Sequence, residues 1–302
     1  MNEGEFMKIV LPNQQQLKKI KMIVCDLDET LFDHQKTIPQ QTTQYLIELQ
    51  KKGYILVLAT GRFYYELQSY IEQLQLKKYH GYVVCVNGLE IYDLTHQKKK
   101  TYTKLDYDET KQFIQKANQY NIISYLNYNQ KYHVFSNTLI RIIGKMTQHL
   151  MIPFYPIIKK NHRLKGFMEL SFDKTLPQNI TAVSKICFLA KIKTLKEFCQ
   201  DIITDNFPYV FYDVNPNVVE LTHESVGKLQ AIISICQQRH FSLEQVLAFG
   251  DSGNDKDLLS RVGIGVAMKN AYPHVLASTP YRTIHTNNEE GVYHYLKDII
   301  KI

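Results

Sequence analysis

The stretch that decides the fold reads MIVCDLDET and spans residues 22–30. Its first four residues are apolar, and such a short apolar run is typical of a strand buried on both faces of a parallel sheet. Asp26 and Asp28 follow directly, and Thr30 closes the stretch. Ligands bind outside the carboxyl ends of the strands in open parallel sheets. The stretch therefore predicts a buried strand that carries two acids to a binding site.

Two carboxylates at a strand end suit group transfer, because one can attack while the other acts first as an acid and then as a base. The same pattern also fits an Asx-type turn or a helix cap, in which Thr30 only ties the loop together. The apolar run in front of Asp26 favours the catalytic interpretation.

Outward from this strand, apolar runs alternate with segments of helical spacing. In the first third of the chain, after this strand, we expect strands at 55–59 and 82–86 and helices at 39–52 and 63–76. On the carboxyl-terminal side we expect strands at 246–249, 264–267 and 281–285 and helices at 228–238, 255–262 and 291–300. Strands that alternate with helices imply parallel pairing through right-handed crossovers.

The middle of the chain has a different pattern, with alternating or isolated strands. Strands are predicted at 122–126, 185–189, 209–212 and 218–221, and helices at 108–119 and 194–204. This α+β pattern, with antiparallel pairing, indicates a domain inserted into the parallel one. The predicted division is an extension at 1–20, a core at 21–90 and 222–302, and an inserted α+β domain at 91–221. The fold class is α/β, a Rossmann-like three-layer core with a parallel sheet.

Two further segments could bind a phosphate group. Thr60 and Gly61 follow a predicted strand and precede a helix, so a hydroxyl and exposed backbone N–H groups could cradle a phosphate. Thr60 could equally be a simple helix N-cap. Lys228 begins a helical segment, and its amine could neutralise a phosphoryl group, although a single lysine is weak evidence.

The loop GDSGND, residues 250–255, follows another apolar strand. Asp251 could bind a hard cation, and the amide of Asn254 could donate to a phosphate oxygen. A solvated acidic loop is the alternative interpretation. Polar groups of this kind after three separate predicted strands favour one shared site.

In this order, the four segments resemble the motifs of the haloacid dehalogenase-like superfamily of phosphohydrolases. The first motif corresponds to residues 26–30, the second to Thr60, the third to Lys228 and the fourth to 250–255. The chain resembles the Cof-type branch more specifically, at residues 59–62, 87–88, 265–268, 270–271 and 290–292. The resemblance spans about residues 21–300 and is sparse in the middle.

The resemblance implies roles for particular residues. Asp26 would be the nucleophile, and Asp28 would be the acid and base. The metal Mg²⁺ would be held by the side chains of Asp26 and Asp251 and the backbone carbonyl of Asp28. Asp255 would support either the metal or Lys228. The phosphate or substrate would be bound by Leu27, Thr60, Gly61, Arg62, Lys228 and Asn254. The inserted domain would be a cap that closes over the site and selects a small phosphorylated metabolite, either a sugar phosphate or a phosphorylated cofactor.

The chain departs from the family pattern in two places. Glu29 stands where the family usually has Gly, and a left-handed backbone there would cost on the order of 1 kcal/mol. The loop around Lys228 reads Ser-Val-Gly-Lys-Leu at 225–229, where the family commonly has Gly-Val-Ser-Lys-Gly.

Three other functions can be weighed against that of a phosphatase. A phosphotransferase or phosphomutase uses the same second acid, so only its products would distinguish it. A non-catalytic phosphate-binding regulatory protein is disfavoured by the complete set of acids and the amine. A phospho-accepting receiver module is disfavoured by the inserted domain and by Asp28.

Composition narrows the class of partner. The chain has 302 residues, 44% hydrophobic residues and a net charge of +7, with its basic residues spread along the whole length. We therefore expect no nucleic-acid partner.

No apolar run is long enough for a bilayer span or a signal peptide, so we expect a cytoplasmic protein without a membrane partner. The five scattered cysteines predict reduced thiols, and the histidines lack zinc-site spacing. His162 and Arg163 could contact an anion, although solvated surface residues are the stronger interpretation, and the sequence does not indicate an oligomeric state.

Overall fold

A computed structural model describes residues 10–129, 131–154, 168–203 and 207–301. The chain forms two compact units. The first comprises Met1–Tyr102 with Ser225–Ile302, and the second comprises Thr103–Glu224.

The first unit begins with three helices and five strands. These are α1 (Gln14–Lys19), β1 (Met22–Cys25), α2 (Gln40–Lys51), β2 (Ile55–Ala59), α3 (Gln68–Gln73), β3 (Tyr82–Cys85), β4 (Glu90–Asp93) and β5 (Lys98–Thr101). Helix α1 lies within the predicted extension. It has a capping box between Asn13 and Gln16, and none of its residues is buried.

The second unit follows, with eight strands and three helices among its described residues. These are β6 (Leu105–Asp106), α4 (Tyr107–Gln119), β7 (Ile123–Tyr128), β8 (Lys131–Phe135), α5 (Thr138–Met151), β9 (Ser171–Asp173), β10 (Ala182–Val183), β11 (Ile186–Leu189), α6 (Ile192–Ile202), β12 (Tyr209–Asn215) and β13 (Val218–His223).

The chain then completes the first unit. The remaining elements are α7 (Lys228–Arg239), β14 (Val246–Gly250), α8 (Lys256–Arg261), β15 (Ile264–Ala267), α9 (Pro273–Leu276), β16 (Tyr281–Arg282) and α10 (Gly291–Ile299). Among the described residues, no helix combines the length and the apolar character needed to cross a bilayer.

The sheet of the first unit has the strand order β16-β15-β14-β1-β2-β3-β4-β5. Strand β1 lies between β14 and β2 and is parallel to both, with Met22 opposite Val246 and Ile55. Every residue of β1, β3, β14 and β15 is buried, as their apolar sequences require. The predicted α/β fold with a parallel-sheet core is confirmed.

The sheet of the second unit has the order β12-β13-β11-β7-β8-β9. Its pairs are antiparallel except for β8 and β9, which are parallel. Each unit has its own hydrophobic core. One cluster includes Ile23 and Phe249, and a separate cluster includes Phe188 and Phe198.

Three predicted elements differ from the structure. Residues 63–76 do not form one helix, because a 3-10 turn at Tyr64–Glu66 precedes α3. The turn starts separately because the Glu66 carboxylate accepts from the backbone nitrogen of Phe63 at 2.8 Å. The strand predicted at 281–285 contains only two residues, since the hydroxyl of Thr283 donates to the carbonyl of His285 and turns the chain. Residues 90–101 supply β4 and β5, antiparallel strands at the edge of the first sheet. The sequence instead predicts that residues 91–101 belong to the inserted domain.

Candidate active site

Three neighbouring strands end beside polar residues. Asp26 follows β1, Thr60 follows β2 and Asp251 follows β14. Because these strands are adjacent and parallel, all three residues lie at one edge of the sheet. Asp26 still belongs to the ladder, as its backbone nitrogen donates to the carbonyl of Phe249 at 3.1 Å.

Lys228 links two acids at this edge. It is the first residue of α7, and its side chain is fully buried. Its Nζ lies 2.6 Å from Oδ1 of Asp26 and 2.6 Å from Oδ1 of Asp255. Burial opposes the charge of the amine, but the two carboxylates outweigh it and raise the pKa of Lys228. Lys228 is therefore a cation with two partners at the bottom of the site.

Close backbone packing places Lys228. Gly88 has φ +104°, and a Cβ at this position would lie 2.1 Å from the carbonyl oxygen of Gly227. Only glycine fits such a contact in a left-handed conformation. The turn after β3 therefore sets the position of the residue that precedes the lysine.

Asp255 supports this arrangement with both of its carboxylate oxygens. Oδ1 accepts from Lys228, and Oδ2 accepts from the backbone nitrogens of Asp251 and Ser252 at 3.2 Å each. Asp251 in turn accepts from the hydroxyl of Thr30 at 2.9 Å. Asp255 thus holds both the amine and the loop that carries Asp251.

Three buried carboxylates come together here. Oxygens of Asp26, Asp251 and Asp255 lie within 4.8 Å of one another. Burial raises the pKa of Asp26 to about 7, although Lys228 opposes the shift. Burial and the charge of Asp26 raise the pKa of Asp251 as well. Burial disfavours the ionised form of these carboxylates, a nearby cation favours it, and hard carboxylate oxygens suit Mg²⁺. The oxygens of Asp26, Asp251 and Asp255 could therefore hold a hard cation such as Mg²⁺.

The side chain of Asp28 has different partners. Its carboxylate accepts from Nε and Nη2 of Arg62 at 2.7 Å each, and Nζ of Lys36 lies 3.0 Å from Oδ1. Partial burial works against ionisation, but these two cations outweigh it and lower the pKa of Asp28. Arg62 and Lys36 thus favour the ionised form of Asp28.

The backbone of Glu29 is left-handed, with φ 58° and ψ 10°. This is the conformation that we considered for this position because the family usually has Gly there. Its carbonyl accepts from Nδ2 of Asn270 at 2.7 Å, and its carboxylate accepts from Nδ2 of Asn287 at 3.4 Å. The usual Gly of the family therefore has a conformational reason, and this chain places a glutamate in the same conformation.

The remaining predicted residues lie around these acids in the first unit. The hydroxyl of Thr60 accepts from the backbone nitrogen of Arg62 at 3.2 Å. Asn254 donates from Nδ2 to Oδ1 of Asn87 at 2.9 Å. Leu27 is buried, and Gly61 is half-buried. His162 and Arg163 lie outside the described residues.

Several residues of this network were not assigned a role from the sequence. Thr30 belongs to the first motif, but its partner Asp251 lies far away in the sequence. Nothing near Thr30 in the chain indicates that its hydroxyl contacts this acid. Asn87 precedes Gly88, and its φ of 54° marks a turn that its residue type favours. Lys36 lies in a polar loop, where nothing in the sequence distinguishes it from a surface lysine.

Comparison with known proteins places this site in a family. Residues 23–296 match the haloacid dehalogenase-like hydrolases. The chain belongs to this family. The haloacid dehalogenase-like match covers the first motif through most of α10 and confirms the resemblance drawn from the four motifs.

Relatives of this haloacid dehalogenase-like hydrolase are named phosphatases. The 5-amino-6-(5-phospho-D-ribitylamino)uracil phosphatase YitU of Bacillus subtilis is 24% identical over 287 residues, which cover 93% of this chain and 98% of that protein. The HMP-PP phosphatase of Yersinia enterocolitica is 26% identical over 283 residues, covering 92% and 94%. A solved haloacid dehalogenase-like hydrolase from B. subtilis shares the fold, with a TM-score of 0.73 at 21% identity over 93% of this chain and all of the other.

Proposed function

We propose that this hydrolase is a Mg²⁺-dependent phosphatase that releases inorganic phosphate from a small phosphorylated metabolite through an aspartyl-phosphate on Asp26. The contact between Asp26 and the buried Lys228 beside Asp251 is the observation that supports this most directly. A carboxylate at a strand end, paired with a fixed cation and a cation site, is suited to attack phosphorus.

In the first step, an oxygen of Asp26 forms a bond to phosphorus while the ester P–O bond breaks. Asp28, which must first take up a proton against the effect of Arg62 and Lys36 on its pKa, gives that proton to the departing alkoxide. In the second step, Asp28 takes a proton from water, and the water oxygen attacks the same phosphorus. The bond to Asp26 then breaks, which releases phosphate and restores both acids.

Charge is the main obstacle to the first step. A carboxylate and one phosphate charge 4 Å apart repel by about 4 kcal/mol at an effective dielectric of 20. Lys228 offsets part of this repulsion, and a Mg²⁺ ion held by Asp26 and Asp251 would supply further positive charge beside the phosphoryl group. Thr60, Asn254 and the backbone at Leu27 and Gly61 are the proposed donors to the phosphate.

The substrate class rests on the relatives. One is named for a phosphorylated ribitylaminouracil and another for HMP-PP, so we assign a small phosphorylated metabolite to this chain. We assign the second unit, Thr103–Glu224, the role of a cap that selects the leaving group. This part of the proposal draws on the family resemblance and on the separate core of that unit.

The test is turnover by purified protein on a panel of phosphorylated metabolites, with and without Mg²⁺. We expect Mg²⁺-dependent release of inorganic phosphate, a phosphoenzyme trapped by acid quenching, and loss of both in Asp26→Asn. Asp298→Asn removes an exposed carboxylate on α10 and is the matched control. Full activity in Asp26→Asn would refute the mechanism, and transfer of phosphate to a second metabolite would identify a phosphotransferase instead.

A further inference from the structure

Two strained residues lie in the loop that follows Asp28. Glu29 has φ 58° and Lys36 has φ 61°, and neither is glycine. A non-glycine residue in this region carries a conformational cost, so it persists where its surroundings hold it in place. The contacts of both side chains show what holds them.

Lys36 bridges two carboxylates. Its Nζ lies 3.0 Å from Oδ1 of Asp28 and 3.4 Å from Oε1 of Glu29. Its own backbone is fixed at both ends, because its nitrogen donates to the carbonyl of Asp33 at 3.0 Å and its carbonyl accepts from the hydroxyl of Tyr70 at 2.8 Å. The left-handed turn therefore points the amine at the acid of the proposed reaction.

Glu29 is anchored independently of Lys36. Its carbonyl accepts from Asn270, and its second carboxylate oxygen accepts from Asn287, which also donates to the carbonyl of Phe32 at 2.9 Å. A glycine would suit the backbone better, but it would leave Lys36 without its second carboxylate. The glutamate thus offers a contact that the usual family residue cannot make.

Arg62 holds the same carboxylate from another side. Its guanidinium makes a bidentate contact with the carboxylate of Asp28. Its Cζ also lies 5.1 Å from the centroid of the Phe32 ring, over which it stacks. A planar bidentate contact fixes the orientation of the carboxylate. A lysine amine acts as a point charge on a flexible side chain and fixes orientation less well. Lys36 therefore needs Glu29 to define where its amine stands.

We infer that Lys36 and Glu29 are positioning residues for Asp28: Lys36 completes the clamp that Arg62 begins, and Glu29 holds Lys36 in that clamp. The inference rests on the proposed function, because it concerns the acid and base of that reaction. Both side chains are about half exposed, at 46% and 56%, so their ion pair adds little to folding stability. We therefore expect substitution of either residue to change kcat and not the stability of the fold.

The test is steady-state kinetics of single and double variants on the best substrate of the panel. We expect Lys36→Met to lower kcat about tenfold with KM changed less than about twofold, since misplacing a catalytic group lowers the rate of the chemical step. Glu29→Gln lowers kcat by about threefold, and the double variant behaves as Lys36→Met alone because the two residues act as one unit. Lys36→Arg restores most of the rate.

The control is Lys19→Met, which removes an exposed lysine from its ion pair with Glu244 and leaves kcat unchanged. Unfolding midpoints of all variants should agree within about 2 °C. A raised KM at unchanged kcat in Lys36→Met would make Lys36 a substrate contact and overturn the inference. Additive effects in the double variant would overturn the role of Glu29. A wild-type protein without phosphatase activity would instead refute the proposed function, and the inference with it.

Discussion

The acidity of Asp26 and Asp251 would govern how the proposed Mg²⁺ site takes up its cation. The pKa of Asp26 is raised to about 7 by burial, and that of Asp251 is raised as well. An acid with a raised pKa keeps its proton up to a higher pH, and a cation must displace that proton to bind. Binding of Mg²⁺ is therefore opposed by protons at low pH and no longer opposed once both acids have ionised.

We predict that Mg²⁺ affinity rises with pH from about 5 up to about 7, where Asp26 ionises, by up to about tenfold per pH unit for each displaced proton. Calorimetric titration in two buffers of different ionisation enthalpy measures both the affinity and the protons released. Asp26→Asn removes one titrating group and should give a shallower slope. A constant affinity across this range would contradict the prediction.

Single residues could be predicted where a chemical pattern marked them. Asp26 and Asp251 were found because each follows an apolar strand, and Lys228 because of its place in the ordered motifs. Lys36 could not be found, because its role comes from a left-handed turn and from contact with Asp28 eight residues earlier in the chain. Sequence alone gives neither of these.

At the level of elements, the turn after β3 and the start of α7 depend on each other through Gly88 and Gly227. We predict that Gly88→Ala destabilises the protein on the order of 3 kcal/mol, because the new methyl group meets a backbone carbonyl that cannot yield easily. Movement of Gly227 would also shift Lys228, so kcat should fall even where the variant is fully folded. Urea unfolding and kinetics at low temperature measure the two effects.

The matched control is Gly53→Ala. Gly53 also has a positive φ, +95°, but a Cβ there would meet nothing within 4 Å. It should lose only about 1 kcal/mol, the cost of the backbone conformation, and keep its activity. Equal effects of the two substitutions would show that conformation, and not the contact with Gly227, makes Gly88 necessary.

Elements could be predicted from the sequence where burial left a hydrophobic pattern. Strands β1, β2 and β15 have the predicted bounds because they are apolar runs buried in the sheet. Strand β5 reads Lys-Lys-Lys-Thr and is exposed at every residue, so its pairing with β4 depends on backbone hydrogen bonds that leave no such pattern. Helix α5 was also missed. Its apolar residues do recur at helical spacing, but large ones such as Leu139 and Leu150 are exposed in the structure.

On the scale of the whole molecule, the two units divide the hydrophobic residues cleanly. The described core residues from Ile20 to Leu94 and from Val226 to Ile300 form one cluster, and those from Leu105 to Leu221 form the other. Separate cores are what independently folding domains possess. The division at 102 and 225 differs from the sequence boundaries at 91 and 221 chiefly because β4 and β5 extend the first sheet. The cytoplasmic location stays a prediction.

The first unit should therefore retain its chemistry without the second. All proposed catalytic and metal-binding residues lie in the first unit. The chain leaves and re-enters that unit at neighbouring points: Tyr102 donates to the carbonyl of Leu89, and the adjacent Gly88 contacts Gly227. A short Gly-Ser linker can accordingly replace residues 103–224.

We predict Mg²⁺-dependent hydrolysis of p-nitrophenyl phosphate by this variant. The kcat/KM ratios among metabolites should be compressed to within about tenfold, since a cap supplies discrimination through the leaving group. Asp26→Asn in the shortened chain is the inactive control. Cooperative unfolding without hydrolysis would mean that the second unit contributes to the chemistry itself, and unchanged preferences among metabolites would mean that it does not select the substrate.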